Sequence, residues 1–303
     1  MSAPDDGRGA AEQGQARVGF AEHRIQAMRA DPRIEAAMRH SVNRSMAYYD
    51  AAPVMHRNLK DVGRFVLGVV ALYLDATGGL THRRLRDLSG QTGLISTGAA
   101  TALLLRLRLI GYVAPAETLP NGATRLYRPT SAMITAFRER FRIELEACAM
   151  IDPRIASVIE RLDEPQVFPN LMAVLGADAI NAARHPRPDA ASIDRLALRT
   201  AGMLIMFHLM QSADQGGAFP PVGEAQVSVS SLARRYEVSR SHVLTILREA
   251  EEMGLIARLG EGRWRLEPQL GEVFRTFYAV LYLGAIKGAR AAQAAMAGDR
   301  GRP

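Results

Sequence analysis

Ser241, Thr245 and Arg248 follow one another at four- and three-residue spacing, with Arg240 and His242 beside the first of them. Side chains so spaced share one face of a helix. An arginine fork matches a phosphate or the O6/N7 edge of guanine, and the hydroxyls and imidazole suit phosphates and base edges. Ser239 immediately ahead is a residue type that caps a helix by accepting an otherwise orphan amide. Upstream, Arg234 and Arg235 are placed to grip a sugar–phosphate backbone, or to serve as plain surface charge. Downstream, Arg258, Arg263 and Arg265 surround Trp264 in strand-like alternation, which predicts arginines on one side and the indole packed on the other. The competing reading of Arg240 and Arg248 is a solvated helix face stabilised by Glu249, Glu251 and Glu252.

Other chemistry finds less support. The seven histidines show no i, i+4 pairing with a carboxylate and no cysteine neighbours, so no metal site is expected. There is no glycine-rich loop ending in Gly-Lys-Ser/Thr and no Gly-x-Ser-x-Gly elbow. Neither an enzyme nor a cofactor is expected. Cys148 stands alone, which excludes a disulfide framework, reads as a small core residue and fits a reducing cytoplasm.

The elements that must position the basic face come next. Between Ser230 and Gly254, Leu232, Ala233 and Tyr236 form the inward stripe of a short helix. Val238 packs at a turn, and Val243, Ile246, Leu247 and Ala250 recur at i, i+3, i+4 and i+7 on a second helix. A hairpin follows, Leu255–Leu259 and Arg263–Leu266 turned at 260–262. A long helix then carries Leu270, Val273, Phe274, Phe277, Tyr278 and Leu281 toward Ala295, an apolar stripe that needs a partner surface and could pair two copies of the chain.

The whole module has a diverged upstream copy. Leu80–Val113 aligns with Val227–Ala257 if a few extra turn residues are allowed at Ser89–Leu94, so that Ser96 pairs with Ser239 and Gly111 with Gly254. The motif Asp-Pro-Arg-Ile occurs at 31–34 and again at 152–155, each predicting an Asp cap with Pro at the first helical position. Phe137-Arg138 and Phe274-Arg275 close the two copies. The copies are unequal. Arg240, Ser241, Thr245 and Arg248 correspond to Thr97, Gly98, Ala102 and Leu105, so the upstream face has lost long polar reach. Thr97 and Thr101 could touch phosphates or thymine methyls, and Arg125 and Arg128 could serve from its hairpin, Tyr112–Pro115 with Thr124–Tyr127 around 120–122.

The 303 residues predict two domains, and 48% hydrophobic residues suffice for real cores. The expected division is a disordered tail at 1–16, a first unit at 17–145, a second at 146–297 and a second tail at 298–303, with a proline-bearing linker at 185–189. Helices are expected from about Leu59 to Ala76, from Ser131 to Met150 and from Ile193 to Gln211, with 214–223 as loop. The balance is basic, 38 Lys+Arg against 31 Asp+Glu, and all but two of the bases are arginine. That excess fits both genomic base composition and a phosphate-binding surface. No apolar run approaches the roughly 18 residues a membrane span needs, and no signal peptide is visible.

A helix, a helix-turn-helix, a hairpin bearing arginines and a long apolar helix follow in the order of winged-helix regulators. The first unit resembles the MarR family through Leu80-Thr81, Leu85, Leu109-Ile110-Gly111-Tyr112-Val113 and 123–130, though it lacks that family's acidic-basic wing motif. The second, through Leu232–Arg240, is similar to the generic helix-turn-helix seen also in the GntR family, with Glu237 at the turn position usually held by Gly. The resemblance implies a mainly α fold with small β-wings, as tandem duplicated winged helix-turn-helix units forming an intramolecular pseudo-dimer. It implies a double-stranded DNA partner and a small-molecule effector, for which Tyr48, Tyr49, His56, Phe207 and His208 could line a cavity; His208 reads equally as a satisfied core histidine. Three functions stay open: a cytoplasmic sequence-specific transcriptional regulator, a plasmid-type replication initiator, and a winged-helix module that binds proteins through the apolar face at Leu105.

Overall fold

A computed structural model describes residues 20–92, 96–118, 125–185, 187 and 191–299. The expected tail at 1–16, the hairpin turn at 120–122, Thr124 and most of the proline-bearing stretch at 185–189 lie outside the described residues, as does the second tail from 300 onward. The chain is mainly helical with two small antiparallel sheets. No helix among the described residues is long and apolar enough to cross a membrane.

The first half runs α1 (Glu22–Arg29), α2 (Ile34–Ala51), α3 (Pro53–Asn58), α4 (Val62–Ala76), β1 (Leu80–Thr81), α5 (His82–Thr92), α6 (Thr97–Leu109), β2 (Val113–Thr118), β3 (Arg125–Pro129) and α7 (Ser131–Ile151). A 3-10 turn at Pro153–Ile155 opens the second, followed by α8 (Ala156–Glu160), α9 (Val167–Arg184), α10 (Ala191–Ala197), α11 (Gly202–Ala213), β4 (Gly223–Gln226), α12 (Val229–Arg235), α13 (Arg240–Glu252), β5 (Ile256–Gly260), β6 (Arg263–Leu266) and α14 (Pro268–Asp299). The order helix, strand, helix, helix, strand, strand occurs twice. Each sheet places its last strand in the middle, β1-β3-β2 and β4-β6-β5.

Several expected boundaries move for identifiable reasons. α4 starts at Val62 and not at Leu59, because the Asp61 carboxylate accepts the amide of Arg64. The first Asp-Pro-Arg-Ile caps differently from the second. Asp152 accepts the Arg154 amide as the cap of the 3-10 turn, whereas Pro32 lies in a turn and α2 begins at Ile34. Residues 89–92, read as extra turn, continue α5. α14 extends through 298–299, which were read as tail. The hairpins are parts of three-stranded sheets, since Leu80 pairs with Tyr127 and Gly223 with Leu266. Two- and four-residue strands are too short to show an alternation pattern of their own.

The largest departure is at 198–201, where the expected helix from Ile193 to Gln211 breaks in two. Ala201 is left-handed at φ 62°, and its amide donates to the Lys60 carbonyl of the first half. Gly202 follows because a Cβ there would come within 2.1 Å of the Leu196 carbonyl oxygen. A cross-chain bond thus overrides a local helical preference.

The halves share one continuous core and interlock reciprocally. α4 packs along α9 and α11 against α2, so the helix that leads into each helix-strand-helix-helix module rests on the other half. Leu270, Phe274 and Tyr278 of α14 are buried, and α14 lies against α9, α1 and α7. The partner surface that its stripe requires is therefore supplied by the same chain. Cys148 is buried within that core, where burial pushes its thiol well up.

Candidate nucleic-acid interface

Ser228 caps α12 by accepting the Ser231 amide, and Ser239 caps α13 by accepting the His242 amide, each at 3.1 Å. Leu232, Ala233 and Tyr236, then Val243, Ile246, Leu247 and Ala250, are buried as their periodicity requires, which orients everything else outward. Gly254 (φ 68°) ends α13 and Gly111 (φ 74°) ends α6, the left-handed position that closes a helix without a Cβ penalty. Ser96 caps α6 by accepting the Ala99 amide, matching Ser239.

Arg240, Ser241, Thr245 and Arg248 are exposed together on α13. Thr245 Oγ1 donates to the Ser241 carbonyl at 3.0 Å, and the Ser239 and Ser241 hydroxyls lie 3.0 Å apart, leaving acceptor capacity on each. Arg240 and Arg248 form no ion pair among the described residues. The carboxylates that could have neutralised them are engaged elsewhere. Glu249 is buried and held by Arg199 and Arg195, with the Arg199 hydrogen bonds keeping its carboxyl below the usual range. Glu252 pairs with Arg195 at 3.2 Å, and Glu251 accepts the Arg258 amide at 3.1 Å. Leu244, 41% exposed, shares this face and escaped the polar reading, although it sits at i+3 from Ser241. Such a side chain suits a thymine methyl.

His242 does not join the outward set. Its Nε2 lies 2.9 Å from the Thr200 carbonyl, an acceptor that the break between α10 and α11 presents, so the ring is half-buried and its proton is used. Arg234 is exposed, whereas Arg235 pairs with Asp50 at 2.9 Å and lies over the Tyr236 ring.

In the second sheet Trp264 is buried while Arg263 and Arg265 face out, as alternation requires. Arg258 departs from that pattern. It registers with Trp264, and antiparallel partners share a face, so it is exposed on the indole's side of the sheet and not with the other two arginines. Arg265 pairs with Glu267 at 2.7 Å, and Arg263 reaches Glu224 only at 3.9 Å.

The upstream face is apolar. Leu105 and Leu109 are 53% and 79% exposed. Thr97 is exposed, and the Thr101 hydroxyl is shared between the Thr97 carbonyl and His82. Arg125 is exposed, Arg128 lies 3.6 Å from Asp75, Arg106 donates to Asn58, and Arg108 lies over the Tyr127 ring.

The turn before α13 is clamped by the first half. Lys60 Nζ donates to the Tyr236 and Glu237 carbonyls at 3.1 and 3.2 Å, and Arg57 pairs with Glu237 at 3.0 Å. No family model, curated protein or solved structure matches this chain. The clamp and the face it orients therefore stand on geometry alone.

Glu237 is left-handed at φ 50°. That conformation costs a non-glycine residue ~1–2 kcal/mol, and an exposed ion pair returns ~0–1 kcal/mol. Glu237→Gly is expected to stabilise the protein by ~0.5–1 kcal/mol in urea unfolding, with Arg57→Ala separating out the ion pair.

Tyr48, Tyr49 and His56 pack ring against ring, Tyr49 also meets Tyr236, and Tyr236 Oη lies 3.1 Å from His208 Nδ1. Phe207 belongs to a separate cluster with Phe274 and Tyr278, so the five residues read as an effector cavity are not one lining. Burial, then the Arg140 charge, lowers the His56 pKa from 6.5 to about 4. The unfolded chain binds the proton first, so this contribution to stability is complete above about pH 6.5 and is lost as pH falls toward 4. The loss amounts to roughly 3 kcal/mol. Urea unfolding at a series of pH values should show this decline in the wild type and its absence, as a difference between proteins, in His56→Phe.

Proposed function

We propose that this chain is a sequence-specific double-stranded DNA-binding transcriptional regulator of tandem winged-helix type, in which α13 enters the major groove. The observation that carries the reading is the pair Arg240 and Arg248, exposed on a capped helix without intramolecular ion pairs while the acids of the same helix are drawn to other partners. Eight residues of helix span about 12 Å, or about three to four base-pair steps. Two arginine forks with hydroxyls and Leu244 between them suit a short run of base edges. Arg234, Arg263 and Arg265 are exposed for backbone contact.

The twice-repeated order of helices and strands supports a winged-helix assignment, and the reciprocal packing of α4 on α9 and α11 on α2 supports an internal pseudo-dimer. Two recognition-type helices in that relation would address half-sites roughly 10 bp apart. Because α6 and α13 differ in sequence, the preferred site is asymmetric.

Gel-shift titration against selected duplexes at several salt concentrations tests this. A specific regulator keeps its preferred site against competitor DNA, and its affinity falls with salt by a slope of about −0.9 per phosphate neutralised. Unsaturable, sequence-blind binding would sink the proposal.

A further inference from the structure

The feature that DNA reading leaves unused is on α6. Gly98, Ala102, Leu105 and Leu109 are all exposed at alternating four- and three-residue spacing, the seam of a helix that packs against another helix. Beside the seam lies a groove of about 330 Å³ between α6 and β2, lined by Leu105, Leu109, Val113, Ala114, Pro115 and Arg108 among others. At the equivalent positions of the second half, Ser241, Thr245, Arg248 and Glu252 make the seam polar. The scaffold is thus shared and the surface exchanged. Exposed leucines at this spacing cost solubility unless something covers them.

We propose that this groove docks an amphipathic helix of a partner protein, seating two apolar side chains one turn apart on Leu105 and Leu109 and an acidic side chain on Arg108. The charge argument selects the occupant. α6 carries Arg106 and Arg108 and no acid, and no carboxylate lines the groove. A second copy docking through the same face by a two-fold axis would set these arginines against one another. An acidic partner helix pairs with them.

Two other occupants fit less well. β2 is an edge strand, but Pro115 within it removes a backbone donor, and an edge so interrupted resists an added strand. Residues 1–19 of this chain hold only Met1 and Val18 as large apolar side chains, too far apart to fill adjacent seats. The proposal does not depend on α13 meeting DNA.

The test uses the full chain and two synthetic helical peptides with leucines at seam spacing, one flanked by glutamates and its twin by lysines. Fluorescence anisotropy should show the acidic peptide binding at least about tenfold more tightly than the basic one, with the preference weakening as salt rises. Leu109→Glu should abolish binding, Leu109→Ala should weaken it, and Arg108→Glu should invert the peptide preference. Both leucine variants change exposed positions, so unchanged thermal melting confirms that folding is intact, and unchanged gel shifts separate this surface from the DNA face. Equal binding of both peptides, or of neither, overturns the proposal. So does sedimentation showing a wild-type dimer that Leu109→Glu converts to monomer, since the groove would then be filled by a second copy.

Discussion

Replacing Arg240 and Arg248 together with alanine is expected to weaken binding to the preferred duplex by about 10²- to 10⁴-fold, from ~1–3 kcal/mol for each bidentate contact. Both guanidinium groups stand exposed without internal partners, so their removal leaves no buried charge stranded and stability should change by less than about 0.5 kcal/mol. Binding to random-sequence DNA should fall far less, because there only phosphate contacts are lost. Thr97→Ala and Thr101→Ala should have little effect on either, since Thr101 is already bonded within the first half. Anisotropy titrations with the selected and scrambled duplexes read all three comparisons. Equal losses on both duplexes would assign the arginines to the backbone alone.

Tyr236→Ala is expected to cost ~3–5 kcal/mol of folding stability, the range for removing a fully buried aromatic. The ring is completely buried at the turn before α13, edge-on to Tyr49 at 5.4 Å, with its hydroxyl on His208. Tyr236→Phe keeps the packing and removes only that hydrogen bond, so it should cost about 1 kcal/mol. Urea unfolding followed by circular dichroism distinguishes the two. If alanine were as mild as phenylalanine, the contact between the halves would not be what holds the turn. Because Lys60 also donates to the Tyr236 carbonyl, loosening the ring should free the orientation of α13. DNA affinity in Tyr236→Ala should then fall even at temperatures where the protein remains folded.

Much of α12 and α13 was legible from periodicity alone. The buried stripe is Val243, Ile246, Leu247 and Ala250, the cap is Ser239, and the closing glycine is Gly254, as local spacing and turn chemistry demand. Outward exposure of Arg240 and Arg248 follows, because a helix with one face committed leaves the other to solvent. The alignment of the two halves was legible for the same reason: Ser96 and Gly111 perform at α6 what Ser239 and Gly254 perform at α13. The apolar Leu105 was visible as an oddity, but the groove beside it needed β2 folded back against α6.

His242 shows the limit of that reasoning. Its sequence position admits it to the outward set, and what removes it is the carbonyl of Thr200, brought near by a helix break that itself depends on Lys60 of the other half. The side on which Arg258 lies was likewise decided by strand register, and the free state of Arg248 by where Arg195 and Arg199 draw the neighbouring glutamates. The sequence by itself determined the helices, their caps and which residues face inward, because these depend on neighbours a few positions away. Only the tertiary structure decided which outward polar groups are already spent, because hydrogen bonds and ion pairs between remote segments are set by how the two halves interlock.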